Sequence, residues 1–159
     1  MVDRAYFTLT MIWSAVIAFG HFVAFFVLTA ALVLQLGLIS QSISVDTARR
    51  IQRADRAYGL AAMLLLVFGF LRVIYFEKGT DYYFSNTFFL LKLGLFVVVG
   101  LLSIYPTMTY LRWNPELNQE IAPDMPIPVV QKIRNIIHTE LVGILGILLF
   151  ASLMAKGFG

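Results

Sequence analysis

The stretch YFTLTMIWSAVIAFGHFVAFFVLTAALVLQLGL, residues 6–38, decides the fold. It holds no Asp, Glu, Lys or Arg, and the charge-free run extends from Ala5 to Val45. A hydrocarbon core about 30 Å thick is crossed by roughly 20 apolar residues at 1.5 Å rise each. Residues 6–38 exceed that length, so a transmembrane helix is expected here that tilts or projects beyond the lipid. A cleaved signal peptide has a basic leader, a short apolar core and a nearby small-residue cleavage site. The segment lacks that pattern and reads as a retained helix.

The whole chain agrees with its first segment. Of 159 residues, 60% are hydrophobic and 13% charged, and the mean hydropathy is +0.83. A water-facing surface needs about a quarter charged residues, so lipid is the expected solvent and the bilayer the expected partner. The length suits one membrane domain, residues 1–159, with further spans expected at about 58–76, 86–111 and 130–155. A breaker-rich turn, Glu77-Lys78-Gly79-Thr80-Asp81, separates the second from the third. Pro115, Pro123, Pro126 and Pro128 crowd the last connection and argue against a helix between Asn114 and Pro128. Only helices satisfy their own backbone in lipid without a closed barrel. The expected fold is therefore all-α, a bundle of four transmembrane helices. Gly94, Gly100, Gly143 and Gly146 are the expected points of close helix approach.

Basic residues orient the bundle. Arg49, Arg50, Arg53, Arg56, Arg112, Lys132 and Arg134 flank the first and third loops, whereas Arg4, Lys78 and Lys156 lie at the other end. Lys/Arg excess near short loops marks the cytoplasmic face, so both termini are expected to be non-cytoplasmic. A multi-pass protein of a bacterial inner membrane follows as the expectation. The chain has no cysteine, which excludes disulfides, iron–sulfur clusters and covalent haem attachment. No basic patch with interleaved aromatics points to a nucleic acid.

Ionisable groups inside a membrane are costly and ask for a reason. His21, Arg72, Lys92, His138 and Glu140 fall within the expected spans. His21 shares a helical stripe with Ser14, Leu28 and Gln35. It is either a neutral core histidine bonded to a carbonyl or a ligand for iron or another metal. Lys92 either snorkels to the interface or heads an interior face that continues through Phe96, Val99, Ser103 and Tyr110. Arg72 lies at a similar depth, and two such cations suit carboxylates such as porphyrin propionates. His138 and Glu140 are two residues apart and point to opposite sides of the fourth helix. That spacing does not match H-E-x-x-H. Joint ligation of haem by His21 and His138 meets a depth mismatch of roughly 5–13 Å.

The runs Gly69-Phe-Leu-Arg-Val-Ile-Tyr-Phe-Glu-Lys-Gly79, Phe88-Phe-Leu-Leu-Lys-Leu-Gly94 and Gly100-Leu-Leu-Ser-Ile-Tyr-Pro106 resemble an uncharacterised family of bacterial four-helix membrane proteins. That family carries a domain-of-unknown-function label and implies a fold. In plan the chain also resembles HemJ-type protoporphyrinogen IX oxidases, through Gly20-His21-Phe22, Leu91-Lys92-Leu93 and Thr139-Glu140. It departs from them where Thr139 replaces Asn and where Tyr105-Pro106 stands in place of a His. This second resemblance implies a b-type haem with His21 as axial ligand. It implies Lys92 as a substrate or propionate contact or a proton carrier, and Glu140 as a structural or proton-handling partner. A porphyrin substrate and a quinone or respiratory electron acceptor follow from it; Arg72, by its depth, and His138, as the second histidine, are further candidate cofactor contacts from the residues themselves. A small transporter or channel, or a non-catalytic membrane subunit, are the alternatives. A homodimer is also expected, to receive the outward face of the fourth helix.

Overall fold

The computed structural model describes residues 2–40, 42–76 and 80–158, with side chains from Thr8 onward. The chain forms α1 (Val2–Leu38), α2 (Val45–Leu71), α3 (Thr80–Ser85), α4 (Thr87–Leu111), α5 (Asn114–Asn118) and α6 (Ile127–Ala155), with no strand among the described residues. A stretch of π-helix, Arg72–Phe76, continues α2. Four of these segments are long and apolar enough to cross a membrane: Thr8–Leu38, Val45–Phe76, Thr87–Asn118 and Ile127–Ala155. The Glu77-Lys78-Gly79 part of the expected turn lies outside the described residues.

The helices pack as two antiparallel pairs, α1 with α2 and α4 with α6, joined along the thinner α2–α4 and α1–α6 seams. One end of the bundle carries both termini and α3; the other carries Ser40–Ser44 and the α4–α6 connection. These are called the terminal end and the loop end below. Outward faces are apolar. Phe26 is 73% exposed and Val142 67%, far more than a water-facing surface of this size tolerates in contiguous belts.

α2 begins thirteen residues before the expected span. Its basic first half is an amphipathic helix and not a loop. Ser44 caps it, accepting from the Thr47 backbone N–H at 3.2 Å, which satisfies one of the donors left open at a helix start. Ala48, Ile51, Ala54 and Tyr58 then return to one face at helical spacing and are buried. Arg50, Arg53 and Arg56 stay exposed. The other long helices run Val2–Leu38, Thr87–Leu111 and Ile127–Ala155. Asn86 caps α4 through its Oδ1 and the Phe89 N–H.

The proline-rich connection differs from expectation. It holds the short helix α5, and α6 starts at Ile127, ahead of Pro128. Proline is accepted in a first turn, where its missing N–H has no intrahelical partner anyway; Pro115 and Pro128 both occupy that place. Packing orders the rest, with Trp113, Leu117 and Met125 buried against the main core. Gln52 on α2 ties the connection down, its Nε2 donating to the Tyr110 carbonyl at 2.7 Å and to Asn114 Oδ1 at 2.9 Å. At about 1 kcal/mol net per hydrogen bond, Gln52→Ala is expected to lower stability by roughly 2 kcal/mol. Equilibrium unfolding in mixed micelles measures this; an unchanged midpoint would show that the two bonds contribute nothing net.

Only two of the four expected glycines mediate close approach. A Cβ at Gly143 would lie 2.6 Å from Val99 Cγ2, and one at Gly146 would lie 2.8 Å from Leu95 Cδ2. Gly94 and Gly100 meet nothing within 4 Å; they face away from the α4–α6 seam. Gly20 makes a third close approach, a Cβ there falling 2.9 Å from the Phe68 ring.

Candidate functional site

Polar side chains inside the bundle gather in two clusters, one towards each end of the bundle. The cluster towards the terminal end is built on His21. α1 brings its imidazole against α2 beside Gly69, where a Cβ would sit 3.5 Å from His21 Cε1 and 3.9 Å from Nδ1. The ring bonds to the Leu65 backbone, and Arg72 and Lys92 lie close enough to act on it electrostatically. His21 Nδ1 is buried with no hydrogen-bond partner among the described residues. Arg72 is carried on the π-helical stretch, a backbone form that concentrates at functional sites. Lys92 projects from the second turn of α4, with Nζ 5.1 Å from the centre of the Phe89 ring. Both cations are half-buried. Three helical segments thus place an imidazole, a guanidinium and an ammonium around one region.

The loop-end cluster joins α2, α4 and α6. Asp55 accepts a hydrogen bond from Thr107 Oγ1 at 2.9 Å. Tyr58 pairs with Ser103 and feels both Asp55 and Glu140. Tyr110 lies within electrostatic reach of the same two carboxyls. Glu140 and Tyr110 are each 1% exposed, and Glu140 Oε1 and Tyr110 Oη have no hydrogen-bond partner among the described residues. Gln35, also 1% exposed, leaves its Nε2 without one.

The five expected site residues therefore divide. His21, Arg72 and Lys92 come together. Glu140 sits with Asp55 in the other cluster. His138 joins neither cluster: it is exposed, and its Nδ1 donates to the Arg134 carbonyl of its own helix at 2.7 Å. The structure does not bring the two histidines to one place. Among the described residues no three His, Cys, Asp or Glu side chains are arranged to hold a metal ion. Sequence reasoning passes over Asp55, Tyr58 and Thr107. Their signal is present: Ile51, Asp55, Tyr58 and Ala62 follow helical spacing on a face that is otherwise apolar.

Four apolar helices with their polar groups turned inward define the class, a multi-pass integral membrane protein built as a helical bundle. The chain belongs to the family described as predicted membrane protein (DUF2214), which matches residues 13–159. No curated protein and no solved structure matches the chain.

Proposed function

We infer that the protein is a haem-binding oxidoreductase of the bacterial inner membrane, acting on a porphyrinogen-type substrate. The observation that carries this reading is the buried Nδ1 of His21, without a hydrogen-bond partner among the described residues, with Arg72 and Lys92 beside it. A buried polar atom without a partner costs about 1–3 kcal/mol, so a retained one asks for an occupant. The residues fit a b-type haem. His21 offers iron a neutral imidazole nitrogen, and Gly69 keeps the space beside that nitrogen free of a side chain. Arg72 and Lys92 supply the positive charge that propionate carboxylates seek. A bound haem would supply one-electron transfer.

The chain's own contribution is binding and proton handling. Lys92 would hold a substrate or propionate carboxylate at the terminal-end cluster. Protons released by substrate oxidation need acceptors inside a dry bundle, and Glu140 is the interior carboxyl best shielded from water. The clustering of Arg49, Arg50, Arg53 and Arg56 at the loop end supports a cytoplasmic position for that end, with both termini on the other side. An electron acceptor soluble in lipid, such as a quinone, suits a protein with so little surface outside the membrane.

The test is direct. Purified from cells supplied with haem precursor, the protein is expected to be red, with a Soret band. It is also expected to restore growth to a strain lacking its protoporphyrinogen oxidase. A colourless preparation that takes up no added haem overturns the reading. It would favour a transporter or a non-catalytic subunit, to which the polar interior face of α4 is equally suited.

A further inference from the structure

The loop-end cluster, whose Glu140 the haem reading makes a proton acceptor, can also take its proton directly from water. We propose that Asp55, Tyr110 and Glu140 form a proton-loading site, in which the two carboxyls share one proton taken up from water at the loop end. This goes beyond the haem reading and does not depend on it.

Geometry carries the case. Asp55 from α2, bonded to Thr107, lies within electrostatic reach of Glu140 from α6, which is buried at 1% exposure. Two carboxylates in one low-dielectric site disfavour each other's charge, so one proton between them is the low-energy state. The groups around Glu140 do not relieve this. α2 presents Asp55 and Tyr58, and α4 presents Tyr110. From α1 the nearest polar group is uncharged. Arg134 Nη1 donates to the Ile39 carbonyl at 3.5 Å; Gln35 is one turn above Ile39, roughly 6 Å, and Glu140 roughly 9 Å above Arg134. The cations of α6 itself are engaged at the loop end. Lys132 sits 3.9 Å from the centre of the Tyr105 ring, roughly 12 Å along the helix from Glu140.

Among the described residues, two buried atoms of the cluster have no hydrogen-bond partner: Glu140 Oε1 and Tyr110 Oη. A buried acceptor and a donor–acceptor without partners are what a buried water or a mobile proton needs. Entry is provided by the exposed Asn114, which accepts from Gln52 at 2.9 Å. Asp55 follows one turn further along α2, bonded to Thr107. The proton enters from water near Asn114 and is held between Asp55 and Glu140.

Infrared spectroscopy of the full chain in lipid vesicles tests this with or without haem. The wild type is expected to show a protonated-carboxyl C=O band at neutral pH that shifts in D2O and titrates as one group. Glu140→Gln should abolish it. Asp55→Asn should retain a band that titrates at lower pH, because the neighbouring negative charge is gone. The proposal is overturned if the wild type shows no such band, if E140Q keeps it, or if D55N leaves its titration unchanged. Loss of the wild-type band on adding sodium at constant pH also overturns it, since that result marks a cation site. Should E140Q fail to fold, the wild-type and D55N titrations still decide.

Discussion

His21→Ala is expected to give a colourless protein that elutes, and shows helical circular dichroism, as the wild type does. The imidazole is half-buried on the α1–α2 seam, and its hydrogen-bonding partner is the backbone of Leu65. Removing it costs about one hydrogen bond, near 1 kcal/mol, which a bundle of this size tolerates. A haem iron held as proposed would, by contrast, lose its ligand entirely. A substitution series at Gly69 separates ligation from folding without touching the histidine. A Cβ there makes ordinary contact with His21, at 3.5 Å, so Gly69→Ala should stay red. Gly69→Leu carries three more carbons into the space beside Nδ1 and should be as colourless as H21A. If G69L keeps a full Soret band, the open ring nitrogen is not where iron binds. If H21A stays red, the histidine is structural.

The spans were the legible part of the sequence, because the cost of charge in lipid acts on every residue of a long segment at once. Forty-odd positions without a charge leave one reading for α1. The same rule misleads at the membrane edge. Taken as a mark of water, the charges of residues 46–56 hide an amphipathic helix, and with it Asp55. What reveals Asp55 is its place on the buried face between Ile51 and Tyr58, a periodicity argument and not a compositional one. Prolines show a similar limit: the last connection holds four of them, but Pro115 and Pro128 fall in first turns, where they are harmless. Among the ionisable residues, the approximate depths of Arg72 and Lys92 follow from sequence position and bring them to His21. His138 needs the rotation of α6 as well as its depth, and rotation depends on how α6 meets α4.

That meeting is set by glycine, and two substitutions on it are expected to differ sharply. In lipid the helices gain nothing from hiding apolar surface, so close van der Waals packing holds α4 to α6. Gly143→Ala would place its Cβ 2.6 Å from Val99 Cγ2. Valine has one strongly preferred rotamer in a helix, and Val99 is buried at 4% exposure, so relief requires the helices to part. Overpacking of this kind costs about 1–3 kcal/mol, and the stiffness of both partners puts Gly143→Ala at the upper end. Gly146→Ala meets Leu95 Cδ2 at 2.8 Å, the far end of a flexible side chain that can turn aside. The roughly 1 kcal/mol by which alanine is the better helix former then offsets most of the cost, leaving Gly146→Ala near neutral. Val99→Ala in the Gly143→Ala background removes the clashing methyl and should return most of the lost stability. Unfolding midpoints of the three variants in mixed micelles check the order. Equal losses at Gly143 and Gly146, or no rescue by Val99→Ala, would mean that the α4–α6 seam is looser than these distances require.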